Sequence, residues 1–355
     1  MSSGVRESIR DAFGSALVEL GRSDPRVLVL DADLAESTRS AKFGKEFPGR
    51  FIECGIAEQN MVGVAAGLAT VGFVPFVTTF CVFASKRVYD QVSISVAYPR
   101  LNVKMCGAYT GLFTGKTGAT HQAIEDLALM RALPNMTVIE PVDAREAALA
   151  ARYAAQIPGP VYLRIARDAY PVLPGHMVGE AGPSSGEADG GANGRPPFMR
   201  VRTLADGDDV AIIAMGTMVH TALAAREVLR ERGVAARVVA VSCLKPIDEE
   251  SIVKAATDTG AVVTVENHSI IGGLGGACAE VLGEKHPVPL KRVGIRDVFA
   301  ESGADADLAR KYGLTADHVA EACLEVLAAK QGHGQGGAGV DSADDGLARV
   351  ARARA

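Results

Sequence analysis

A short stretch around Glu58 contains the residue types best suited to chemistry. Residues 51–69, FIECGIAEQNMVGVAAGLA, pass from a largely apolar start through Gly55 to Glu58, the one carboxylate after that glycine, and then to a run rich in glycine and alanine. A carboxylate between a strand-like segment and a small-residue helix would be partly buried, and burial favours the protonated form, which suits a group that holds or shares a proton. A surface glutamate in the first turn of a helix is the alternative, and the spacing alone does not decide between them.

Two further features follow predicted strands. Phe80 and Phe83 lie at the start of a helix, where an aromatic ring either stacks on a planar ligand or packs into the core. Residues 110–122, TGLFTGKTGATHQ, form a loop rich in glycine and threonine that contains His121. Glycine lets a backbone approach a ligand closely, hydroxyls can bond sugar oxygens, and ligands bind beyond strand ends in open α/β sheets. A packed or capping histidine is the alternative for His121.

The elements that must position these residues alternate between strands and helices. Apolar periodicity predicts helices at residues 5–21, 58–70, 83–98, 123–133 and 144–156, and strands at 26–34, 51–54, 73–80, 101–109, 137–143 and 161–168. The segment 35–50 between them is a polar loop or short helix. This alternation favours a parallel sheet that is covered on both faces.

Composition changes after residue 173, which predicts a second unit. Residues 174–200 are rich in Gly, Pro and Ser, and a second α/β pattern follows, with strands at 209–216, 236–248 and 260–269 and helices at 218–232, 249–258, 277–285 and 316–329. We therefore expect an α/β fold with two consecutive parallel-sheet domains. The predicted boundaries are 1–173 and 207–330 for the domains, 174–206 for the linker and 331–355 for a disordered tail.

Composition and charge exclude several classes of function. The 355 residues carry a net charge of −5, which gives no basic footprint for nucleic acid. No apolar run approaches the length of a membrane span, and the start, MSSGVRESIRDAF, contains no apolar signal segment. Six scattered cysteines, without a CxxC or zinc spacing, favour reduced thiols. A cytoplasmic protein is expected.

The central motif resembles a known family. GIAEQ, followed by AAGLA and PFVTTFCVFASKRVYDQV, resembles the pyrimidine-binding half of transketolase and the related 1-deoxyxylulose-5-phosphate synthase. The resemblance implies that Glu58 hydrogen-bonds a ring nitrogen of the aminopyrimidine of thiamine diphosphate and so activates the cofactor, which carries the chemistry. It also implies that Phe80 and Phe83 wall that ring and that Asp33 lies near the cofactor.

The stretch THQAIEDLALMRALPNM also resembles transketolase. This implies that His121 lines the substrate channel and bonds hydroxyls of the donor sugar. The same resemblance implies that Arg10, Ser37 and Arg167 together bind a sugar phosphate. A guanidinium group can form paired hydrogen bonds to phosphate, and the serine hydroxyl adds one more donor. Taken singly, each of these three residues indicates only a solvated surface group.

Two departures from the family pattern concern the substrate. Tyr109 stands where transketolases usually have a histidine, and GKTG, with Lys116 and Thr117, stands where they usually have GEDG or GxDG. The family aspartate at Thr117 contacts the hydroxyl next to the carbonyl and helps to select the sugar configuration. Since threonine is not a charged acceptor, we expect a shifted substrate specificity.

The sequence contains no GDG motif, which in this family holds the diphosphate through Mg²⁺ together with a following asparagine. The resemblance therefore implies a split enzyme, in which this chain is the C-terminal subunit without metal ligands. A separate N-terminal subunit would supply GDG…N and Mg²⁺, in a heterotetramer with two copies of each subunit (α₂β₂). The substrate would be a small sugar or keto compound.

The leading hypothesis is thus transfer of a two-carbon ketol unit from a ketose or ketose phosphate to an acceptor. The alternatives are the E1β subunit of a 2-oxoacid dehydrogenase, a carboligase like 1-deoxyxylulose-5-phosphate synthase, and a degenerate regulatory homologue. The motif VENHSIIGGLGGA is a weak signal of a phosphate-binding turn. We interpret it as a tight turn and packing surface, with His268 at a subunit interface or an entrance as the alternative.

Overall fold

The computed structural model describes residues 5–175 and 199–335 of the chain. The strands in those residues are β1 (Arg6–Ser8), β2 (Val27–Asp31), β3 (Phe51–Glu53), β4 (Val74–Phe80), β5 (Lys104–Ala108), β6 (Thr137–Ile139), β7 (Val161–Ile165), β8 (Ala169–Pro171), β9 (Arg202–Ala205), β10 (Val210–Met215), β11 (Ala236–Val241), β12 (Cys243–Lys245), β13 (Val262–Ser269) and β14 (Leu290–Ile295).

The α-helices in those residues are α1 (Ile9–Ser23), α2 (Ala35–Thr38), α3 (Ala41–Glu46), α4 (Glu58–Thr70), α5 (Tyr89–Gln91), α6 (Asp126–Ala132), α7 (Ala144–Gln156), α8 (Met218–Glu231), α9 (Glu249–Thr259), α10 (Leu274–Lys285), α11 (Asp305–Lys311) and α12 (Ala316–Gln335). A 3₁₀ turn (Pro48–Arg50) precedes β3, and π-helical turns (Phe83–Arg87 and Val92–Ala97) flank α5.

Two mainly parallel sheets, each with one antiparallel edge strand, form the two predicted α/β units. The first sheet has the order β12-β6-β7-β5-β4-β2-β3, and the second has the order β14-β13-β10-β11-β9. Helices α1 and α7 share one apolar cluster with the first sheet, while α4 and α6 belong to another, so both faces of the sheet are covered. Such burial on both faces explains why a strand such as β2 is a continuous apolar run up to its last residue, Asp31. The predicted α/β fold is confirmed.

The helix predicted at residues 83–98 is not a regular α-helix. It consists of the two π-helical turns and the three-residue helix α5. The Ser85 hydroxyl donates to the carbonyl of Cys81 at 2.6 Å, where it competes with the helical N–H for that acceptor. π-Helical turns often mark functional sites. The first of the two turns begins at Phe83 and ends at Arg87.

The strand predicted at 236–248 is divided between the two sheets. β11 pairs in parallel with β10 of the second sheet, whereas β12 pairs antiparallel with β6 of the first sheet. The segment 236–248 therefore connects the two units. The periodicity of its apolar residues carries no information about which sheet each strand joins. β9 lies within the predicted 174–206 linker and pairs with β11, and α12 extends to Gln335. The rest of the predicted tail lies outside the described residues.

The VENHSIIGGLGGA motif forms a turn that packs against the first unit, as predicted. The Glu266 carboxylate accepts the amides of Leu274 (2.7 Å) and Gly275 (2.9 Å) at the start of α10. The chain's own carboxylate thus occupies the position that a bound anion would take. His268 is fully buried, and burial lowers its pKa to about 4. Its ring faces the amide of Ala128 in the first unit, so placement at an entrance or subunit interface was wrong.

Candidate active site

Glu58 begins helix α4, just beyond the carboxyl end of β3. It is only 2% exposed, which excludes the alternative of a surface glutamate in the first turn. Its Oε1 accepts a hydrogen bond from Nη1 of Arg87 at 2.7 Å. A cleft of about 390 Å³ opens at this point and is lined by Ile56, Ala57, Glu58, Gln59, Asn60 and Arg87.

Arg87 links this carboxylate to an aromatic wall. Its guanidinium lies 4.2 Å from the centre of the Phe83 ring, a distance at which a cation is attracted to the ring face. The side-chain amide of Gln59 donates to the carbonyl of Arg87 at 3.0 Å, which ties the start of α4 to the π-helical turn. The three residues therefore hold one another in place around the cleft.

Four rings form a compact cluster beside Arg87. Phe80 and Phe83 stack with centroids 6.0 Å apart, and His121 lies edge-on to both, at 6.0 Å and 5.5 Å. Tyr109 contacts Phe80 at 4.3 Å between centroids. His121 Nδ1 lies 2.9 Å from the hydroxyl of Thr120. The cluster thus combines three aromatic rings with one imidazole, which has a donor and an acceptor nitrogen, close to a buried carboxylate.

Two arginines, Arg10 and Arg167, lie beside the ring of Tyr109. The guanidinium carbons of Arg10 and Arg167 each lie 5.5 Å from the centre of its ring. Arg10 also donates to the Tyr109 hydroxyl (2.8 Å) and to the carbonyl of Ser37 (2.9 Å). The Nε atoms of both arginines are buried without a hydrogen-bond partner in the described part of the chain. Buried guanidinium donors without partners favour an anionic ligand at this end of the cluster.

The glycine- and threonine-rich loop, residues 110–122, contacts both units. Gly115 has a φ of +75°, which favours glycine, and a Cβ there would lie 2.7 Å from Nη1 of Arg167. Its amide donates to Asp305 of the second unit at 3.1 Å. Burial raises the pKa of Asp305, and a hydrogen bond with Asp168 raises it further. Thr117 is exposed, and its hydroxyl lies 2.7 Å from that of Thr114.

The structure brings most of the predicted site residues together. Contacts run from Glu58 through Arg87 to the aromatic cluster, and from Tyr109 to the two arginines and Ser37. Asp33 and Thr117 stand apart: in residues 5–175 and 199–335, no hydrogen bond or ion pair joins either side chain to the cluster. Asp33 has a φ of +60°, is exposed, and its amide donates to Glu53 at 2.8 Å.

Sequence reasoning did not identify Arg87 or Asp31. Arg87 follows Phe83 by four residues, a spacing that places two side chains on one helical face, so this signal was present. Asp31 is fully buried and accepts hydrogen bonds from Thr38 (2.9 Å), Ser40 (2.8 Å) and Thr78 (2.6 Å). Burial raises the pKa of Asp31. Its role is to organise the loop after β2, and only the fold reveals that arrangement.

The residues of the cleft fit a planar heterocycle rather than a metal ion. The buried Glu58 carboxylate in the cleft, and the phenyl rings that adjoin it on the other side of Arg87, match the edge and faces of an aromatic ring with ring nitrogens. Within the described ranges, no group of three or more His, Cys, Asp or Glu side chains could hold a metal ion. None of the helices in those ranges is long and apolar enough to cross a membrane.

Two known families match different parts of the chain. Residues 7–172 match the family described as "Transketolase, pyrimidine binding domain", and residues 200–319 match "Transketolase, C-terminal domain". The first range contains all strands of the first sheet except β12, and the second range contains β12 and the whole second sheet.

Individual relatives match over nearly their full length. The chain is 44% identical to the 6-deoxy-6-sulfo-D-fructose transketolase subunit SqwH of Clostridium sp. (strain MSTE9), covering 91% of this chain and 95% of that protein. It is also 44% identical to the putative transketolase C-terminal section of Methanocaldococcus jannaschii, covering 92% and 98%. A solved structure titled "Split gene transketolase, inactive beta4 tetramer" is 47% identical, with a TM-score of 0.79 over 92% of this chain and all of that one.

Proposed function

The chain belongs to the transketolase family, as the C-terminal, β-type subunit of a split transketolase-like enzyme, and from this premise we propose how its residues serve ketol transfer. The proposed reaction moves a two-carbon ketol unit from a ketose or ketose phosphate to an acceptor. The observation that supports it best is the continuous set of contacts from the buried Glu58 through the aromatic cluster to the arginine pair.

Each side chain has a proposed role along that set of contacts. Thiamine diphosphate, when bound, supplies the thiazolium carbon that carries the ketol unit. Glu58 bonds a nitrogen of its aminopyrimidine, Phe80 and Phe83 position that ring, and Asp33 lies near the cofactor. His121 orients the hydroxyls of the donor and exchanges a proton with them. A histidine suits this role because its neutral ring has one donor and one acceptor nitrogen.

The remaining residues bind the other end of the donor. Arg10, Ser37 and Arg167 hold its anionic group, and Tyr109 and Thr117 shape the space in between. The buried, unpartnered Nε atoms of the two arginines support this assignment. The relative from Clostridium is named for a sugar whose terminal group is a sulfonate, so we propose that the donor ends in a phosphate or sulfonate.

A second protein completes the proposed site. An N-terminal transketolase subunit with the GDG…N motif would supply the Mg²⁺ ligands and the diphosphate site, in an α₂β₂ heterotetramer in the cytoplasm. The solved relative is titled an inactive tetramer of β chains, which supports a requirement for the other subunit.

Co-expression with such an N-terminal subunit tests this function. Ketol transfer from xylulose 5-phosphate, fructose 6-phosphate and hydroxypyruvate would be followed with thiamine diphosphate and Mg²⁺ present, for the assembly and for this chain alone. We expect activity only from the assembly, and a loss of roughly 10²- to 10⁴-fold with Glu58→Gln, since proton transfer typically contributes that much. Glu284→Gln, at an exposed glutamate of α10, is the matched control and should retain full activity.

Two outcomes would contradict the proposal. Pyruvate decarboxylation or lipoyl acylation in place of ketol transfer would assign the chain to the 2-oxoacid enzymes. Failure of the assembly to bind the cofactor would leave the residues around Glu58 without the proposed role.

A further inference from the structure

Helix α11 of the second unit begins at Asp305, next to the glycine- and threonine-rich loop of the first unit. A carboxylate oxygen of Asp305 accepts a hydrogen bond from the amide of Gly115 at 3.1 Å. Four residues earlier in the chain, the carbonyl of Glu301 accepts one from the side-chain amide of Gln122 at 3.0 Å. The loop that contains His121 is therefore held by the second unit at two positions.

Asp305 also contacts Asp168, the residue that follows Arg167. A hydrogen bond joins the two carboxyl groups, so one proton must lie between them. Burial raises the pKa of Asp305 and the bond to Asp168 raises it further, although the amide of Gly115 opposes the shift. These effects favour Asp305 as the donor, and the carboxylate of Asp168 is engaged as its acceptor.

Arg167 has this carboxylate close by but is not bonded to it. Its Nη1 lies 3.9 Å from Oδ1 of Asp168, which is too long for a hydrogen bond. In the described part of the chain, its Nε is buried without a hydrogen-bond partner. The backbone of Gly115 lies against the same guanidinium, since a Cβ there would be 2.7 Å from Nη1. Asp305 is thus bonded to both neighbours of the guanidinium.

We propose that Asp305 is a positioning residue for the anion site: it engages Asp168 and fixes Gly115, so that the guanidinium of Arg167 stays available for the terminal phosphate or sulfonate of the donor. Without Asp305, the half-exposed carboxylate of Asp168 is free to move closer to Arg167 and pair with it directly. That pair would compete with the donor, because both anions accept from the same guanidinium. This inference rests on the proposed function, and it gives the second unit a part in substrate selection.

Steady-state kinetics of the assembly with its N-terminal subunit test this role. The terminally anionic donors are xylulose 5-phosphate, fructose 6-phosphate and 6-deoxy-6-sulfo-D-fructose, the sugar for which the Clostridium relative is named. Hydroxypyruvate is the comparison donor, because its three-carbon chain has no terminal phosphate or sulfonate. Glycolaldehyde is the acceptor throughout, since it has no anionic group to occupy the same site.

Asp305→Ala removes both contacts. It should raise KM for the terminally anionic donors roughly tenfold, the size expected when one hydrogen bond between charged groups is weakened. The value of kcat and the KM for hydroxypyruvate should stay within about twofold of the native values, because the groups around Glu58 and His121 are unchanged. A purely structural role would instead affect all donors alike.

A conservative variant should restore the native behaviour. In Asp305→Asn, the carboxamide offers an acceptor to the amide of Gly115 and a donor to the carboxylate of Asp168, so the native KM values are expected. Asp307→Ala, at an exposed aspartate of the same helix, is the matched control and should change none of them. If Asp305→Ala does not fold, Asp305→Ser is the milder variant. Its hydroxyl is too short to keep both contacts, so the same selective rise in KM is expected.

Three results would overturn the inference and leave ketol transfer intact. They are an equal rise in KM for hydroxypyruvate, a KM for the terminally anionic donors that Asp305→Ala or Asp305→Ser leaves unchanged, and a selective rise that Asp305→Asn shares. Use of hydroxypyruvate alone by the native assembly would also overturn it, because the anion site would then have no ligand among these donors. Absence of ketol transfer from every donor would overturn the proposed function as well.

Discussion

Tyr109 is the residue that joins the two halves of the candidate site. Its backbone adopts a left-handed conformation with φ of +67°, which is uncommon for a residue with a side chain and often marks a functional position. That conformation directs its ring onto Phe80 and places its hydroxyl against Arg10. A histidine, usual in the family, would be too short to make the same hydrogen bond. The substitution therefore changes the link between the aromatic cluster and the arginine pair.

Thr117→Asp tests the second departure from the family pattern. Thr117 is exposed on the loop that also contains Gly115, and an aspartate at this position would restore a charged acceptor for a sugar hydroxyl. A hydrogen bond to a charged group contributes about 1.5–3 kcal/mol, so kcat/KM for xylulose 5-phosphate and fructose 6-phosphate should rise roughly tenfold or more. Steady-state kinetics of the assembly measure this.

Thr117→Asn is the control for that prediction, because it matches aspartate in size and lacks its charge. It should give little gain with the same donors. Unchanged kinetics for Thr117→Asp would mean that this position does not select the sugar.

At the scale of single elements, helix α10 depends on Glu266. This carboxylate lies at the helix N-terminus, where negative charge is favoured, yet it is almost fully buried. Burial dominates and raises its pKa to about 7 from a usual value of 4.5, although the amides of Gly275 and Leu274 oppose the shift. A Cβ at residue 273 would lie 2.0 Å from Oε2 of Glu266, so glycine is required at Gly273. The turn thus needs a small residue to admit the carboxylate.

The raised pKa of Glu266 predicts a pH-dependent difference between the native protein and Glu266→Gln. The stabilisation from Glu266 is fully present below about pH 4.5 and is lost as pH rises through about 7, since the unfolded chain ionises first. The glutamine variant has no such loss. Its free energy of unfolding, measured in urea relative to the native protein, should therefore increase between pH 4.5 and pH 7 and then level off.

The contribution of His268 has the opposite dependence: its pKa of about 4, lowered by burial, means that its stabilisation is present above pH 6.5 and lost as pH falls through 4 in the native protein. Its Nδ1 lies 3.8 Å from Oε2 of Glu266, so the two contributions are coupled, and the increase expected for Glu266→Gln is read most directly between pH 6.5 and pH 7. Glu284→Gln should show a difference that does not depend on pH. If the difference in free energy of unfolding between Glu266→Gln and the native protein were also independent of pH, this would contradict the raised pKa of Glu266.

At the scale of the whole molecule, one buried arginine joins the two units. Arg164 on β7 donates to Asp126 (2.8 Å), Glu140 (3.0 Å) and the carbonyl of Asn267 in the second unit (3.0 Å). Burial would raise the pKa of Asp126, but Arg164 holds it below the usual value. Asn267 in turn bonds the amide of Leu112 at 2.9 Å. The network therefore also fixes the start of the loop that carries His121.

Arg164→Met should destabilise the whole chain. It leaves Asp126 and Glu140 without their cation in a water-free interior, and breaking a buried pair in this way costs about 3–5 kcal/mol. Because the network spans both units, urea unfolding should show the loss in a single transition. Arg152→Met, which removes an exposed ion pair with Glu19, is the control and should cost less than about 1 kcal/mol. Two separated transitions, with the second unit unaffected, would show that the units unfold independently.

The sequence by itself determined the α/β class, the order of most strands and helices, and the stretch around Glu58. These properties follow from local signals, because strand and helix periodicities are visible over a few residues and buried parallel strands read as apolar runs. Phe80, Phe83 and His121 were identified for the same reason, since each follows a strand end. The resemblance to transketolase then assigned their roles, and those roles stay predictions.

The tertiary structure alone decided which side chains meet across the chain. The pairing of Glu58 with Arg87 spans 29 residues, and the bond from Arg164 to Asn267 spans 103. Likewise, β12 leaves the second unit to join the first sheet, although its apolar pattern suits either sheet. Partners distant in sequence are selected by complementary charge and shape at the positions where the fold brings them together, and periodicity within a segment does not encode those positions.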